Sequence, residues 1–135
     1  MKTIPDLSFS KLGGIVPVVT VDDDSGEVLM QAFMDREAWQ RTLTEGIAHY
    51  YSRSRSKIWK KGETSGRIQR VREVFVDCDA DSVLLRVFQE GGAACHTGFR
   101  SCFHRRVTDS GLETLGEALF DPAKVYGSED GDEHE

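Results

Sequence analysis

Thiols are scarce in this chain of 135 residues: there are three cysteines, an odd number that cannot pair completely within one molecule. That excludes a fully disulfide-stapled scaffold and fits a reducing compartment. No apolar run approaches the length of a membrane span, and Met1–Phe9 lacks the charged-then-greasy pattern of a secretory signal. The expected location is therefore cytoplasmic, with no membrane partner. Nothing repeats, and no internal linker interrupts the chain. The net charge of -6 is unevenly spread, because residues 121–135 set six carboxylates against Lys124 alone and leave the body close to neutral. The expectation is one domain over residues 1–120 and an acidic, solvated, mobile tail over 121–135.

What is present is mostly β-forming. Ile15–Val21 and Glu27–Phe33 flank Asp22-Asp23-Asp24-Ser25-Gly26, a turn signal that predicts a hairpin. Pro5–Leu12 reads as a short helical turn with Leu7, Phe9 and Leu12 inward. Asp35 can cap a helix over Arg36–Thr44, with Gly46 as its stop. Ala48–Ser52, Ile68–Val76, Val83–Gln89 and Phe103–Val107 read as strands, and Trp59–Gly66 as a shaped loop. Leu112–Phe120 is ambiguous, and Asp121-Pro122 can start a short helix ending before Gly127. The fold class is α+β: a β-rich roll or partly open barrel with two or three helices.

Each cysteine lies beside other metal-ligand residues, in Asp77-Cys78-Asp79-Ala80-Asp81 and in Ala94-Cys95-His96-Thr97-Gly98-Phe99-Arg100-Ser101-Cys102. The thiolates and an imidazole suit zinc, and the carboxylates suit magnesium or calcium. In an extended strand Asp77 and Asp81 would stand on the order of 13 Å apart at ~3.3 Å per residue, so binding one cation requires the segment to curl. Cys78, alternating with the aspartates, would then serve a second site or a second subunit. The plainer alternative is a solvated turn.

The spacing of Cys95 and Cys102 is too wide for a zinc ribbon, and no closely spaced cysteine pair exists for a four-thiolate structural site. Three thiolates would leave one position open, as a catalytic zinc requires, and His96 is the natural base to deprotonate its water. The alternatives are two small buried hydrophobes or a reversible disulfide. His49 and His104 read as ordinary surface or core histidines.

Between Tyr51 and Arg72 lie eight basic residues against Glu63 alone. Within that stretch Lys61-Gly62-Glu63-Thr64-Ser65-Gly66 has the makings of a phosphate cradle, although the Gly-Lys-Ser/Thr ending of a Walker loop is missing. A small phosphorylated molecule fits better than nucleic acid.

Four runs in order, Tyr50-Tyr51-Ser52-Arg53-Ser54-Arg55, Trp59 through Gly66, Asp77 through Asp81, and Ala94 through Phe103, closely resemble the phosphoribosyl-AMP cyclohydrolase family of histidine biosynthesis. Arg67 is a departure, since that family more often has asparagine or histidine there. The resemblance implies a homodimer with zinc on Cys78 of one subunit and Cys95 and Cys102 of the other, and magnesium on Asp77, Asp79 and Asp81. It further implies hydrolytic opening of the six-membered adenine ring of phosphoribosyl-AMP by zinc-activated water, with His96 as base. Arg53, Arg55, Lys61, Thr64 and Ser65 are the candidates for the phosphates. Too little chain follows Phe120 for the pyrophosphohydrolase domain of some relatives, so a monofunctional enzyme is expected. Two rivals are a zinc-stabilised binding module and a zinc deaminase; the closely spaced Pro-Cys-x-x-Cys and His-x-Glu signature of deaminases is missing.

Overall fold

The computed structural model describes residues 3–126. Alternating apolar residues build the expected hairpin from β1 (Ile15–Asp22) and β2 (Val28–Asp35), running antiparallel from Ile15 opposite Asp35 to Val21 opposite Val28. Asp22 fastens its turn: the Ser25 amide and hydroxyl each donate to its carboxylate at 2.8 Å. Those bonds hold its pKa below the usual carboxylate range. The Ala38 amide donates to Asp35 at 2.8 Å, which starts α1 (Arg36–Glu45), and Gly46 ends the helix in the left-handed region at φ 74°.

Leu7 and Phe9 enter the core as expected, but Leu12 is 54% exposed. It ends the single 3-10 turn Phe9–Leu12, just where Gly13 turns the chain left-handed and away from the core. Two short strands, β3 (His49–Ser52) and β4 (Lys57–Lys60), pair antiparallel. Trp59 and Lys60 therefore finish a strand, and the expected loop begins only at Lys61.

Two longer strands, β5 (Gln69–Val76) and β6 (Val83–Gln89), complete a four-stranded sheet of order β2-β1-β6-β5. The β1–β6 pairing is parallel, which requires a long crossover; β2, α1 and strands β3 to β5 lie along it. The small sheet joins the large one through the Ile47–Arg70 bridge, an Ala48 amide donating to Gln69 O at 3.0 Å, and a Lys61 amide donating to Ala48 O at 3.1 Å. This last bond brings Lys61 against the core.

A final hairpin, β7 (Arg105–Thr108) with β8 (Gly111–Thr114), resolves the ambiguous stretch after Leu112 into a short strand followed by irregular chain. Residues Pro122–Tyr126 form the one-turn α2 that Asp121-Pro122 signals. The rest of the acidic tail lies outside the described residues. The architecture is α+β, β-rich, with open sheets of four, two and two strands.

One core fills the space between the large sheet and α1, centred on Val16, Val18, Met34, Trp39, Tyr50, Leu85 and Val87. A buried polar chain crosses it: Thr20 Oγ1 lies 2.7 Å from Tyr50 OH, Tyr50 OH donates to Gln69 Oε1 at 2.6 Å, and Gln69 Nε2 donates to Gln89 Oε1 at 2.9 Å. Each of these groups is satisfied by its neighbour, as burial demands. His49 is a core histidine, its ring nitrogen 2.8 Å from Ile47 O.

Candidate active site

Residues 93–104 contain no regular element and take their shape from tethers. The Ala94 amide donates to Arg100 O at 3.0 Å, Cys95 to Phe99 O at 3.1 Å, and Gly98 to Cys95 O at 3.0 Å. The loop is then pinned to β2: the Cys102 amide donates to Leu29 O at 2.7 Å, and the Ser101 hydroxyl to Val28 O at 2.7 Å. Gly98 adopts φ +95°, and a Cβ there would lie 2.3 Å from Phe120 O. No other residue fits while the 118–120 segment crosses the loop, as it does through the Leu119 amide donating to Gly98 O at 2.7 Å.

The folded loop brings together the two cysteines that stand seven residues apart in sequence. The neighbouring Cys102 thiol, with Thr97 Oγ1 at 2.8 Å, holds the Cys95 thiol well below the usual thiol range. The neighbouring Cys95 sulfur, with local desolvation in the loop, pushes Cys102 up even though this residue is exposed overall. The two shifts run in opposite directions, so Cys95 is the more readily ionised sulfur of the two. Two converging sulfurs of this kind fit a soft or borderline dication.

Both cysteines line a cavity of about 490 Å³, with His96, Lys61, His104 and Arg105 among its walls. No carboxylate lines it among the described residues. Lys61 is buried, and its ammonium donates to Ala94 O at 2.5 Å and stands 6.0 Å from the Trp59 ring centroid. Lys61 thereby connects the end of β4 to the cysteine loop. His104 is more than a background histidine. It stacks on Phe99 with ring centroids 3.9 Å apart, its Nδ1 lies 3.0 Å from Ser101 O, and it faces the cavity.

Cys78 does not line this cavity; it is exposed on the turn that follows β5. That turn curls as one shared cation would require. Ala80 is left-handed at φ 60°, and the Asp77 carboxylate accepts from the Asp81 and Ser82 amides at 3.0 and 3.2 Å. One ligand oxygen from each of Asp77, Asp79 and Asp81 lies within 4.8 Å of the others. Oxygens around one magnesium at 2.0–2.1 Å stand up to about 4.2 Å apart, so small side-chain movements suffice.

The Lys11 ammonium already sits in this focus, 3.1 Å from Asp79 and 3.2 Å from Asp81. A hydrogen bond from Asp81, with Lys11 beside it, holds Asp79 at about 2, while the Asp81 carboxyl is raised by the same Asp79 contact. Three converging carboxylates that already attract a cation fit a hard dication.

The basic stretch is more dispersed. Of its five phosphate candidates only Lys61 lines the cavity. Arg53 lies over the Phe33 ring at 4.1 Å, Arg55 donates its amide to Ser52 Oγ at 3.2 Å, and the Ser65 hydroxyl accepts from the Arg67 amide at 3.1 Å. Thr64 belongs to the same exposed loop, which is pinched at Gly62. There φ is +89° and a Cβ would meet Ile68 N at 2.4 Å. The departure Arg67 covers the Phe120 ring at 4.1 Å, so it braces the segment that crosses Gly98. Arg105 and Thr97 are among the cavity residues that sequence reading missed. The only signal for Thr97 is its place two residues after Cys95. Arg105 could be suspected only from its alternation with Arg106.

Residues 30–104 match the family described as phosphoribosyl-AMP cyclohydrolase. A phosphoribosyl-AMP cyclohydrolase of Desulfatibacillum aliphaticivorans is 54% identical over 121 residues, spanning 90% of this chain and 97% of that relative. One of Desulforapulum autotrophicum is 53% identical over 90% of this chain and 98% of its own length. One of Methanococcoides burtonii is 54% identical over 84% and 90% respectively. Likeness at this level across nearly the whole length of both partners, on a fold that gathers two cysteines and a histidine in one cavity, is membership: the chain belongs to the phosphoribosyl-AMP cyclohydrolase family of hydrolases.

Proposed function

We propose that this chain opens the six-membered adenine ring of phosphoribosyl-AMP as a homodimer, with zinc on Cys78 of one subunit and Cys95 and Cys102 of the other. Zinc held there would supply a Lewis acid that makes a bound water acidic near neutral pH. Magnesium on Asp77, Asp79 and Asp81 would neutralise phosphate charge or orient the substrate. The reading is supported above all by the Cys95–Cys102 pair, which converges in the same cavity as His96 while Cys78 remains exposed outside it.

The chemistry follows from the substrate. Ribosylation at ring nitrogen one makes the ring amidinium-like and carbon six electrophilic. His96 accepts a proton from the water that adds to carbon six. The adduct collapses by breaking the bond from carbon six to nitrogen one, and its electron pair goes to nitrogen one with a proton. Carbon six keeps the water oxygen as a carboxamide, and nitrogen one stays on the formimino arm. Lys61 holds the cysteine loop through Ala94 O from the cavity wall. Arg53, Arg55, Thr64 and Ser65 border the loops where a phosphate would lie. A soluble phosphorylated nucleotide substrate of histidine biosynthesis fits a cytoplasmic enzyme, and no helix among the described residues is long and apolar enough to cross a membrane.

The test is incubation of the purified chain with phosphoribosyl-AMP, following ring opening by ultraviolet absorbance. Turnover is expected, with loss on chelation, recovery on adding zinc, and an unchanged circular dichroism spectrum throughout. Unfolding on metal removal would favour the structural-zinc module instead, and undiminished turnover by metal-free protein would remove zinc from the chemistry.

A further inference from the structure

We propose that Arg105 is a phosphate anchor for the substrate, at the rim of the thiol cavity. The assignment rests on the reaction proposed above, whose substrate carries two phosphates and so needs two anion-holding regions. The basic loops around Arg53 and Ser65 offer one, and Arg105 fits the other.

Three observations carry this. First, Arg105 is exposed yet lines the cavity that holds Cys95, Cys102 and His96, and no carboxylate among the described residues lines that cavity. An anion entering it meets Lys61 and Arg105 without a competing acid. Second, the Arg105 side chain has no hydrogen bond, ion pair or ring contact among the described residues, and every other described arginine has a partner. Arg106 pairs with Glu113, Arg100 donates to Glu27 at 2.7 Å, and Arg67 covers Phe120. Because neighbours alternate in a strand, Arg106 takes the face of β7 that meets Glu113 and Arg105 the face that meets the cavity.

Third, its backbone is fixed. Arg105 pairs with Thr114 at the start of the β7–β8 hairpin, and the preceding His104 is clamped by the Phe99 stack and by a Leu115 amide donating to its carbonyl at 2.7 Å. A free guanidinium on a held backbone is suited to bidentate recognition of phosphate, which Lys cannot reproduce.

The test compares the full-length wild-type chain with Arg105→Gln and Arg105→Lys, measuring ring opening of phosphoribosyl-AMP at several KCl concentrations. Arg105→Gln should raise KM at least tenfold with kcat changed less than threefold, and Arg105→Lys should fall between it and wild type. The rise of KM with KCl should be shallower in Arg105→Gln, because one ionic contact has gone. An Arg105→Gln KM within twofold of an active wild type overturns the anchor while leaving the reaction standing, as does a collapse of kcat at unchanged KM. A wild-type chain that leaves the substrate intact overturns the reaction and this assignment together. The Arg105 side chain makes no hydrogen bond, ion pair or ring contact among the described residues, so thermal midpoints should agree across the three proteins.

Discussion

Replacing Cys102 with alanine should reduce ring opening at least a thousandfold, on the order of the effect of removing a group on which the chemistry depends, and leave the chain folded. The thiol is separable from the fold. Its loop is fastened by the Cys102 amide to Leu29 O and by the Ser101 hydroxyl to Val28 O, and alanine keeps both. What alanine removes is one of two sulfurs in the cavity, together with the neighbour that lowers the Cys95 pKa. The variant should purify with little zinc by atomic emission and with a native circular dichroism spectrum. Full activity in a metal-free Cys102→Ala protein would defeat the catalytic-zinc account.

Lys61→Met should lower kcat about a hundredfold, the order seen when one preorganised electrostatic group is removed from an active site. Methionine keeps most of the aliphatic stem and removes the charge. The Ala94 carbonyl loses its 2.5 Å donor, and a buried group stripped of its hydrogen bond costs about 1–3 kcal/mol. That cost falls on the residue next to Cys95, so the loop should loosen where the sulfur is positioned. The cavity also loses a fixed positive charge facing the thiols. Thermal melting should show a shift of a few degrees, with cooperative unfolding retained. A Lys61→Met protein within threefold of wild-type kcat would show that the ammonium serves packing alone.

The parts of the fold that sequence reading captured are those governed by local rules. Asp35 and Gly46 bound α1 because capping and left-handed termination need only a few neighbouring residues. Asp22 through Gly26 makes a hairpin for the same reason. The parallel β1–β6 pairing was not legible, since it joins strands separated by about half of the domain and depends on what the intervening chain packs against.

The site divides the same way. The need for the Asp77–Asp81 segment to curl followed from strand geometry, and Ala80 at φ 60° supplies the bend. The cysteine, histidine and aspartate clusters were visible as such. The burial of Lys61 was not, because a lysine in a glycine-rich basic loop reads as a surface charge until the Ala48 bond draws its backbone inward. Arg105 was equally hidden, since only the pairing of Arg106 with Glu113 reveals which arginine is left for the cavity. Arg67, a departure from the family's usual asparagine or histidine, turns out to brace Phe120 and the segment over Gly98.

The central claim is that sulfurs from two copies of the chain complete one site, and subunit mixing tests it most directly. Cys78→Ala and Cys95→Ala proteins, each inactive alone, are combined under conditions that exchange subunits, and heterodimers are verified by mass. If Cys78 serves the opposite subunit, every heterodimer keeps one intact site, and an equal mixture should recover about a quarter of wild-type activity when half the dimers are mixed. No recovery after verified exchange would contradict a shared site.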